Sequence, residues 1–511
     1  MKTVQMIKEF RKEEIISEKD RRSMRIKVLL VNPPLSSIFG GFPPLGLMYI
    51  ASVLEKNGIS VEIFDRQKLN YEQYISVFLD YIRKTTPDII GFTCYIGDVD
   101  DVRELCLKIK QIRKDVIIVV GGFHPSMFPE QFFGYSDYVV IGEGEMTMLE
   151  LIKTIESKRE VTKVKGIAIL GKKIIYTESR ELADINMLPG PAYHLVDMKY
   201  YTNISDGRLR GVLLNCGFIF SSRGCPFKCT FCPMTRFLGL KQRYMNPVKV
   251  VDEIEFLVKN YNINGLQFLD ETLTLNRKHI VEICDEILKR KINIMWGSYT
   301  RANLVNSELL KKLSESGCIQ IDFGVESGSQ RVLDMLKKGV TIEQIKHTFK
   351  LCREYNIRTF ANYLTNIPGE TVEEREKTIE FANSLNADRF TYNIFLPYPN
   401  TKINEENGII ISEKDYKYFF MFKRNSNLKF FSENYNFTPD KKDLDELFND
   451  ATKRIRHASP YPILLNQKYL CSILRSKRKI EYILWMQNKL IYLIKKYNSL
   501  LVNKLYNMIK S

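Results

Sequence analysis

Several things are scarce in this sequence, and each scarcity excludes a class of protein. No apolar run approaches the ~20 residues that span a bilayer, and the longest are short, such as Val116–Val120. The stretch Met1–Arg25 is thick with Lys, Arg, Glu and Asp and lacks the apolar core of a secretory signal. A membrane-spanning or secreted protein is therefore not expected. Ten cysteines in 511 residues are too few for a disulfide scaffold, and without an export signal they should stay reduced. There are two tryptophans and five histidines, and no His-x-x-x-His run or second Cys-x-x-Cys pair from which to build a closed zinc site. A Gly-x-Gly-x-x-Gly turn after the first strand is also missing, which argues against a dinucleotide fold.

What remains is an ordinary folded composition, 44% apolar and 27% charged, and a length that calls for two or three domains. Lysine and arginine outnumber acids 76 to 60, a net charge of +16. From Ala451 onward there are 13 basic residues and one acid, Glu481, so most of the excess belongs to the C-terminal segment. A nucleic-acid-binding protein would spread a basic stripe over its folded core, so no nucleic acid partner is expected.

Short β-branched runs at Ile26–Val31, Val61–Phe64, Ile89–Thr93, Val116–Gly121 and Tyr138–Ile141 alternate with helical patterns. The helices fall near Leu45–Asn57, Tyr71–Lys84, Asp100–Lys114 and Glu145–Ser157. Fully apolar strands alternating with helices predict a parallel sheet covered on both faces, a doubly wound, flavodoxin-like α/β domain. Lys163–Asn215 reads as a connector with two strands, Val164–Leu170 and Lys173–Thr177. From Val212 six further strand–helix repeats predict a partial (β/α)6 barrel, whose reactive face lies at the carboxyl ends of its strands. The segment from about Pro439 to Ser511 reads as helical, with Ile483, Met486, Leu490, Leu493 and Tyr497 at helical spacing.

Seven cysteines are scattered and read as small core residues: Cys94, Cys106, Cys216, Cys284, Cys318, Cys352 and Cys471. The other three stand together in Ser222-Arg223-Gly224-Cys225-Pro226-Phe227-Lys228-Cys229-Thr230-Phe231-Cys232-Pro233, just after the first barrel strand. Thiolate is a soft ligand that selects zinc or iron–sulfur clusters. Three thiolates on one loop hold three irons of a [4Fe–4S] cluster and leave the fourth open. Zinc would need a fourth ligand, and the nearest cysteine, Cys216, lies inside the preceding strand.

The Cys-x-x-x-Cys-x-x-Cys loop with Phe231 before its last cysteine resembles the signature of radical S-adenosylmethionine (SAM) enzymes. Further likenesses follow over about Val212–Pro399. Phe268-Leu269-Asp270-Glu271-Thr272 ends the second barrel strand, where that family places an acid for the SAM amino group. Gly324-Val325-Glu326-Ser327-Gly328-Ser329 ends the fourth and resembles the stretch associated with SAM ribose and carboxylate contacts. Asn366-Ile367-Pro368-Gly369-Glu370-Thr371 follows the fifth; Asn366, and Asn400 further on, stand where relatives often carry glycine. The resemblance implies cluster ligation by Cys225, Cys229 and Cys232, and SAM contacts from Phe231, Asp270, Glu271, Arg301, Glu326 and Ser327. Each has an ordinary alternative. Asp270 or Glu271 would suit a helix N-terminus, Glu326 a solvated loop, Arg301 a structural ion pair and Phe231 simple packing.

In the first domain, Asn32-Pro33-Pro34, Pro43-Pro44-Leu45-Gly46-Leu47, Gly121-Gly122-Phe123-His124-Pro125 and Ile141-Gly142-Glu143-Gly144-Glu145 resemble the cobalamin-binding domain fused to many radical SAM enzymes. Cobalamin contacts are accordingly expected at Asn32, Pro33, Gly121, Gly122, His124, Gly142, Glu143 and Gly144, with a structural histidine as the alternative for His124. No histidine has Asp two residues before it, so the cobalamin implied has no histidine axial ligand. The implied organisation is a charged leader (1–24), a cobalamin-binding domain (25–160), a linker (161–211), a radical SAM core (212–435) and a basic helical C-terminal region (436–511).

By this resemblance the protein is a cobalamin-dependent enzyme that cleaves SAM to a 5′-deoxyadenosyl radical and methylates an unactivated carbon. Cyclisation, rearrangement or oxidation without net methylation is the alternative within the family. A small-molecule, lipid or natural-product substrate, a flavodoxin- or ferredoxin-type electron donor and a cytoplasmic location are implied. The tail with Trp485, Tyr492 and Tyr497 suits either a helix on an anionic membrane surface or one packed over the barrel mouth. A cysteine-stabilised polyanion- or membrane-binding protein is the competing class; it predicts salt-sensitive binding and no iron.

Overall fold

The computed structural model describes residues 26–455 apart from 34–40, 66–68, 203–208, 210–213, 235–236, 238 and 420–423. The charged leader and the helical face expected around Ile483–Tyr497 lie outside the described residues. The chain forms two compact units: residues up to Asp197 with Ser412–Asn427, and residues from Met198 to Ile411 with those from Leu428 onward.

In the first unit, β1 (Lys27–Val31), β2 (Ser60–Phe64), β3 (Ile89–Thr93), β4 (Ile117–Gly121) and β5 (Tyr138–Val140) are parallel. Strand β1 pairs with both β2 and β3, giving the order β2-β1-β3-β4-β5. Helices α1 (Leu45–Lys56), α2 (Tyr71–Thr85), α3 (Val99–Ile112), α4 (Phe123–Met127) and α5 (Gly144–Glu156) follow β1 to β5 in turn. The strands are nearly continuous in buried apolar residues because both faces are covered; Leu29, Leu30, Val31, Ile89, Ile90, Ile118, Val119 and Val120 are each at most 2% exposed. Helix α2 starts at a capping box in which Asn70 and Gln73 satisfy each other's backbone N–H groups. The two connector strands, β6 (Ile167–Leu170) and β7 (Ile174–Tyr176), do more than connect. They extend the same sheet antiparallel to seven strands.

The second unit holds β8 (Cys216–Ile219), a two-residue ribbon of β9 (Ser222–Arg223) and β10 (Arg243–Tyr244), and then β11 (Gly265–Phe268), β12 (Met295–Thr300), β13 (Cys318–Glu326), β14 (Arg358–Thr365) and β15 (Arg389–Ile394). Strands β8 and β11–β15 pair in parallel and in chain order, the open six-stranded sheet of a partial (β/α)6 barrel. Its connecting helices begin on polar caps: Asn246, Asn276, Asn306, Thr341 and Thr371 each accept a first-turn N–H. The α/β architecture with a doubly wound sheet and a partial barrel is the one expected.

Candidate active site

The cysteine loop leaves β8 and is closed at its base by β9 and β10, where Arg223 pairs with Arg243 and Ser222 with Tyr244. Gly224 has φ +97°, and a Cβ there would lie 2.5 Å from the Lys241 carbonyl oxygen, so the two arms meet only because residue 224 is glycine. The middle is pinned from both sides: Thr230 N–H donates to Leu336 O at 3.0 Å, and Ile403 N–H donates to Thr230 O at 2.9 Å. Cys225, Cys229 and Cys232 are partly exposed, whereas Cys94, Cys106, Cys216, Cys284, Cys318 and Cys352 are buried. Cys471 lies outside the described residues. Burial pushes the Cys232 thiol up to about 11, with the Lys338 ammonium pulling the other way, and raises Cys225 as well. These thiols need positive charge beside them to act as thiolates. Among the described residues, no three His, Cys, Asp or Glu side chains are grouped to hold a single ion. A [4Fe–4S] cube does not require that, since each thiolate binds its own iron.

Asp270 follows β11 and is fully buried. Its carboxylate accepts from Ser221 N–H at 3.0 Å, Ser221 Oγ at 2.7 Å and Ser222 Oγ at 2.5 Å. Ser221 Oγ also lies 3.2 Å from His279 Nε2. Asp270, expected to contact SAM, ties the end of β8 to the end of β11. Its neighbour Glu271 has the opposite character. Glu271 Oε2 is buried without a hydrogen-bond partner, and burial raises its carboxyl to about 7. Arg301, after β12, is 6% exposed; its Nη1 donates to Cys229 Sγ at 3.4 Å, while Nε and Nη2 have no hydrogen-bond partner. A half-buried acid whose Oε2 is buried, and a buried cation, each with unused hydrogen-bonding capacity, match the ammonium and carboxylate of an α-amino acid. The residues present therefore fit a cluster with SAM.

Other expected SAM contacts are otherwise engaged. Glu326 has φ +65°, and its Oε1 accepts from Lys338 Nζ at 2.7 Å, both side chains being 9% exposed. Gly324 makes room for this pair; a Cβ there would lie 2.3 Å from Glu326 Oε1 and 2.6 Å from Lys338 Nζ. Glu326 is thus not a solvated loop charge. Ser327, fully buried, lies 3.1 Å from Thr378 Oγ1 and accepts from Ser329 N–H at 3.1 Å, so it shapes the loop from within. Phe231 packs against the cluster of Val332, Leu336, Ile367, Phe395 and Ile403, with Lys338 Nζ 5.9 Å from its ring. Asn366 and Asn400 have φ +63° and +59°, the left-handed backbone that glycine and asparagine adopt most readily. Asn366 adds what glycine lacks: Oδ1 accepts from Phe437 N–H at 2.7 Å, and Nδ2 donates to Tyr435 O at 3.0 Å.

Two features escaped sequence reasoning. Lys338 belongs to none of the motifs in the sequence, yet it is buried against Glu326. Asn362, Thr391 and Asn393, all half-buried, lie on the sheet face opposite Tyr363 and Tyr392 and form a hydrogen-bonded chain. Thr391 Oγ1 donates to Asn362 Oδ1 at 2.9 Å, and Asn393 Nδ2 donates to Thr391 Oγ1 at 3.0 Å. Alternation of polar residues along β15 was the signal available for them.

In the first unit, Asn32 and Pro33 end β1, Gly121 and Gly122 end β4, and Gly142, Glu143 and Gly144 follow β5, all along the carboxyl edge where such folds bind ligands. Asn32 Nδ2 donates to Asp65 Oδ1 at 3.1 Å, and Gly142 N–H donates to Ser126 Oγ at 2.9 Å. Tyr95, 42% exposed just after β3, stands on the same edge and was not foreseen. His124 does not present itself to a ligand. It is 1% exposed, its Nε2 lies 2.8 Å from Gln131 Oε1, and its ring is 5.0 Å from those of Phe128 and Tyr416. Burial lowers its pKa to about 4, so it is a neutral structural histidine.

A parallel barrel with a three-thiol loop at its carboxyl edge and, in the same chain, a doubly wound ligand-binding domain define a class of two-cofactor enzyme. The profile of the Radical SAM superfamily matches residues 219–382, and that of the B12 binding domain matches residues 32–152. An uncharacterized methyltransferase of Pyrococcus horikoshii, PH0819, is 32% identical over 390 residues, covering 74% of this chain and 83% of the relative. The anaerobic magnesium-protoporphyrin IX monomethyl ester cyclase of Rubrivivax gelatinosus is 30% identical over 412 residues, 78% of this chain and 73% of the relative. Among solved structures, the radical SAM methyltransferase TsrM of Kitasatospora setae superposes with a TM-score of 0.65 at 21% identity, covering 75% of this chain and 76% of that one. The chain belongs to the radical SAM superfamily, among its members that carry a B12-binding domain. The likeness read from the loops is borne out.

Proposed function

We propose that this protein is a cobalamin-dependent radical SAM methyltransferase acting on an unactivated carbon of a small molecule or natural product. The observation that carries the proposal is the pairing, in one site, of three partly exposed thiols with a half-buried acid and a buried cation that both have hydrogen-bonding capacity to spare. Cys225, Cys229 and Cys232 would hold the cluster, Glu271 the SAM ammonium and Arg301 the SAM carboxylate. The cofactors supply a carbon-centred radical and a transferable methyl group; the protein supplies position and electrostatics. Asp270 keeps the Ser221–Ser222 turn in place beneath the loop, and the Phe227 and Phe231 rings limit water at the thiols. The carboxyl-edge residues Asn32, Pro33, Gly121, Gly122, Gly142, Glu143 and Gly144 would line the cobalamin site. The Asn362–Thr391–Asn393 chain favours a substrate with hydrogen-bonding groups over a bare hydrocarbon lipid. An external one-electron donor of flavodoxin or ferredoxin type completes the system.

Among the described residues no helix is long and apolar enough to cross a membrane. A cytoplasmic protein is proposed, with peripheral membrane contact through the basic tail as a separate question for liposome sedimentation. Anaerobically reconstituted protein should contain iron, sulfide and cobalamin. With a strong reductant, methyl-labelled SAM and a small-molecule extract of the source cells, it should yield a product carrying the label, together with S-adenosylhomocysteine. The relationship to the magnesium-protoporphyrin cyclase supports a second reading, ring formation without net methylation. Formation of 5′-deoxyadenosine and an unlabelled new product would favour that reading and overturn the first.

A further inference from the structure

One buried charge in the second unit has no carboxylate counter-charge among the described residues. Arg301 is 6% exposed, yet none of its ion pairs or hydrogen bonds among the described residues goes to an acid. Its Cζ lies 3.8 Å from the centroid of the Phe227 ring, and its Nη1 donates to Cys229 Sγ at 3.4 Å. The other buried cations near the site are differently served. Lys338 Nζ is 2.7 Å from Glu326 Oε1, and Arg375 Nη2 is 2.5 Å from Asp440 Oδ2. A guanidinium taken out of water without a compensating anion is costly, and an aromatic face offsets only part of that cost. The remaining electron-rich partner is the cysteine sulfur.

We propose that Arg301 is a positioning residue that sets the reduction potential of the iron–sulfur cluster, through its Nη1–H···Sγ hydrogen bond to Cys229 and its uncompensated charge. The inference rests on the reading above that the three thiols hold such a cluster. One-electron reduction adds a negative charge to a unit that three thiolates already make anionic. A cation in contact with one of those sulfurs stabilises the reduced form more than the oxidised one, and burial keeps the interaction from being screened. Hydrogen bonds to the sulfurs and local net charge are among the levers by which a protein tunes such clusters. Lys338, the cation on the Cys232 side, is neutralised by Glu326 and contributes far less. Arg301, after β12, therefore brings against Cys229 a positive charge with no carboxylate partner among the described residues.

The test is an EPR-monitored redox titration of the full-length, anaerobically reconstituted protein without SAM, so that any contact of Arg301 with the SAM carboxylate plays no part. Iron and sulfide are quantified for each sample. Arg301→Met, with a cluster content matching the unsubstituted protein, should lower the midpoint potential by at least ~59 mV, a tenfold change in a one-electron equilibrium. Arg301→Lys, which keeps the charge but not the planar fork, should fall between the two. Arg301→Gln gives the uncharged readout if the Met variant does not load. A fully loaded Met or Gln variant that titrates at the unsubstituted potential overturns the proposal. So does a Lys variant that falls as far as the Met variant, since packing rather than charge would then be responsible. Unsubstituted protein that binds no iron overturns the cluster reading itself, a result distinct from either.

Discussion

Lys338 and Glu326 make the sharpest prediction about how this site is held together. Their side chains are 9% exposed and joined at 2.7 Å, and Glu326 keeps the left-handed backbone at φ +65°. Removing one partner leaves the other as an uncompensated buried charge, a loss of about 3–5 kcal/mol. In a unit of 150–250 residues one kcal/mol moves the melting temperature by about 2–4 °C. Lys338→Met should therefore lower the melting transition of the barrel by roughly 6–20 °C. Glu326→Gln alone should also be strongly destabilising, because it strands the ammonium. The double variant Lys338→Met/Glu326→Gln leaves no buried charge and should recover more than half of the loss of Lys338→Met. Differential scanning calorimetry of the four proteins, read as a double-mutant cycle, measures this directly. A Lys338→Met shift below about 2 °C, or a double variant as unstable as the sum of the singles, would refute the view that this pair is buried and mutually compensating.

Three further predictions concern other residues. Burial raises the Glu271 carboxyl from its ordinary 4.5 to about 7. Its contribution to stability is thus greatest below pH ~4.5 and is lost as pH rises through about 7. Binding of the SAM ammonium, which needs the carboxylate, should strengthen across that window, and equilibrium dialysis at pH 6 and pH 8 should show the difference vanish in Glu271→Gln. His124→Leu should destabilise the first unit by about 1–3 kcal/mol by stranding Gln131, yet leave cobalamin bound per folded chain unchanged; loss of cobalamin with stability intact would make His124 a ligand after all. Asn366→Gly keeps the φ of +63° but removes the hydrogen bonds to Tyr435 and Phe437. It should cost about 1–3 kcal/mol in calorimetry, and Asn366→Ala, which adds backbone strain, should cost more.

Much of the architecture was readable along the chain because its causes are local. Strands β1, β3 and β4 are rich in apolar residues, many of them β-branched (Val28–Val31, Ile89–Phe92 and Ile117–Val120), which suits a strand covered on both faces. The cluster loop was marked by three soft ligands within eight residues, from Cys225 to Cys232. The C-terminal half of the molecule was harder. Nothing near Ser412 indicates that the chain returns there to the first unit, where Tyr416 covers His124 and Arg103 pairs with Glu413. The β6–β7 hairpin could be foreseen as strands, but its addition to the sheet edge depends on β5, some 30 residues away.

The same division runs through the site. Sequence alone determined which chemistry is present, because ligand softness, the spacing of three thiols and the order of loops after strands are properties of neighbouring residues. Tertiary structure decided which candidates are engaged elsewhere. Asp270 is bound by Ser221 and Ser222, almost 50 positions earlier; Glu326 by Lys338; Ser327 by Thr378. It also left Glu271 and Arg301 with polar atoms unused and brought Arg301 against Cys229, 72 residues away in the chain. Burial and counter-charge are set by whatever the fold brings alongside a residue, and that partner is not written in the residue's own neighbourhood.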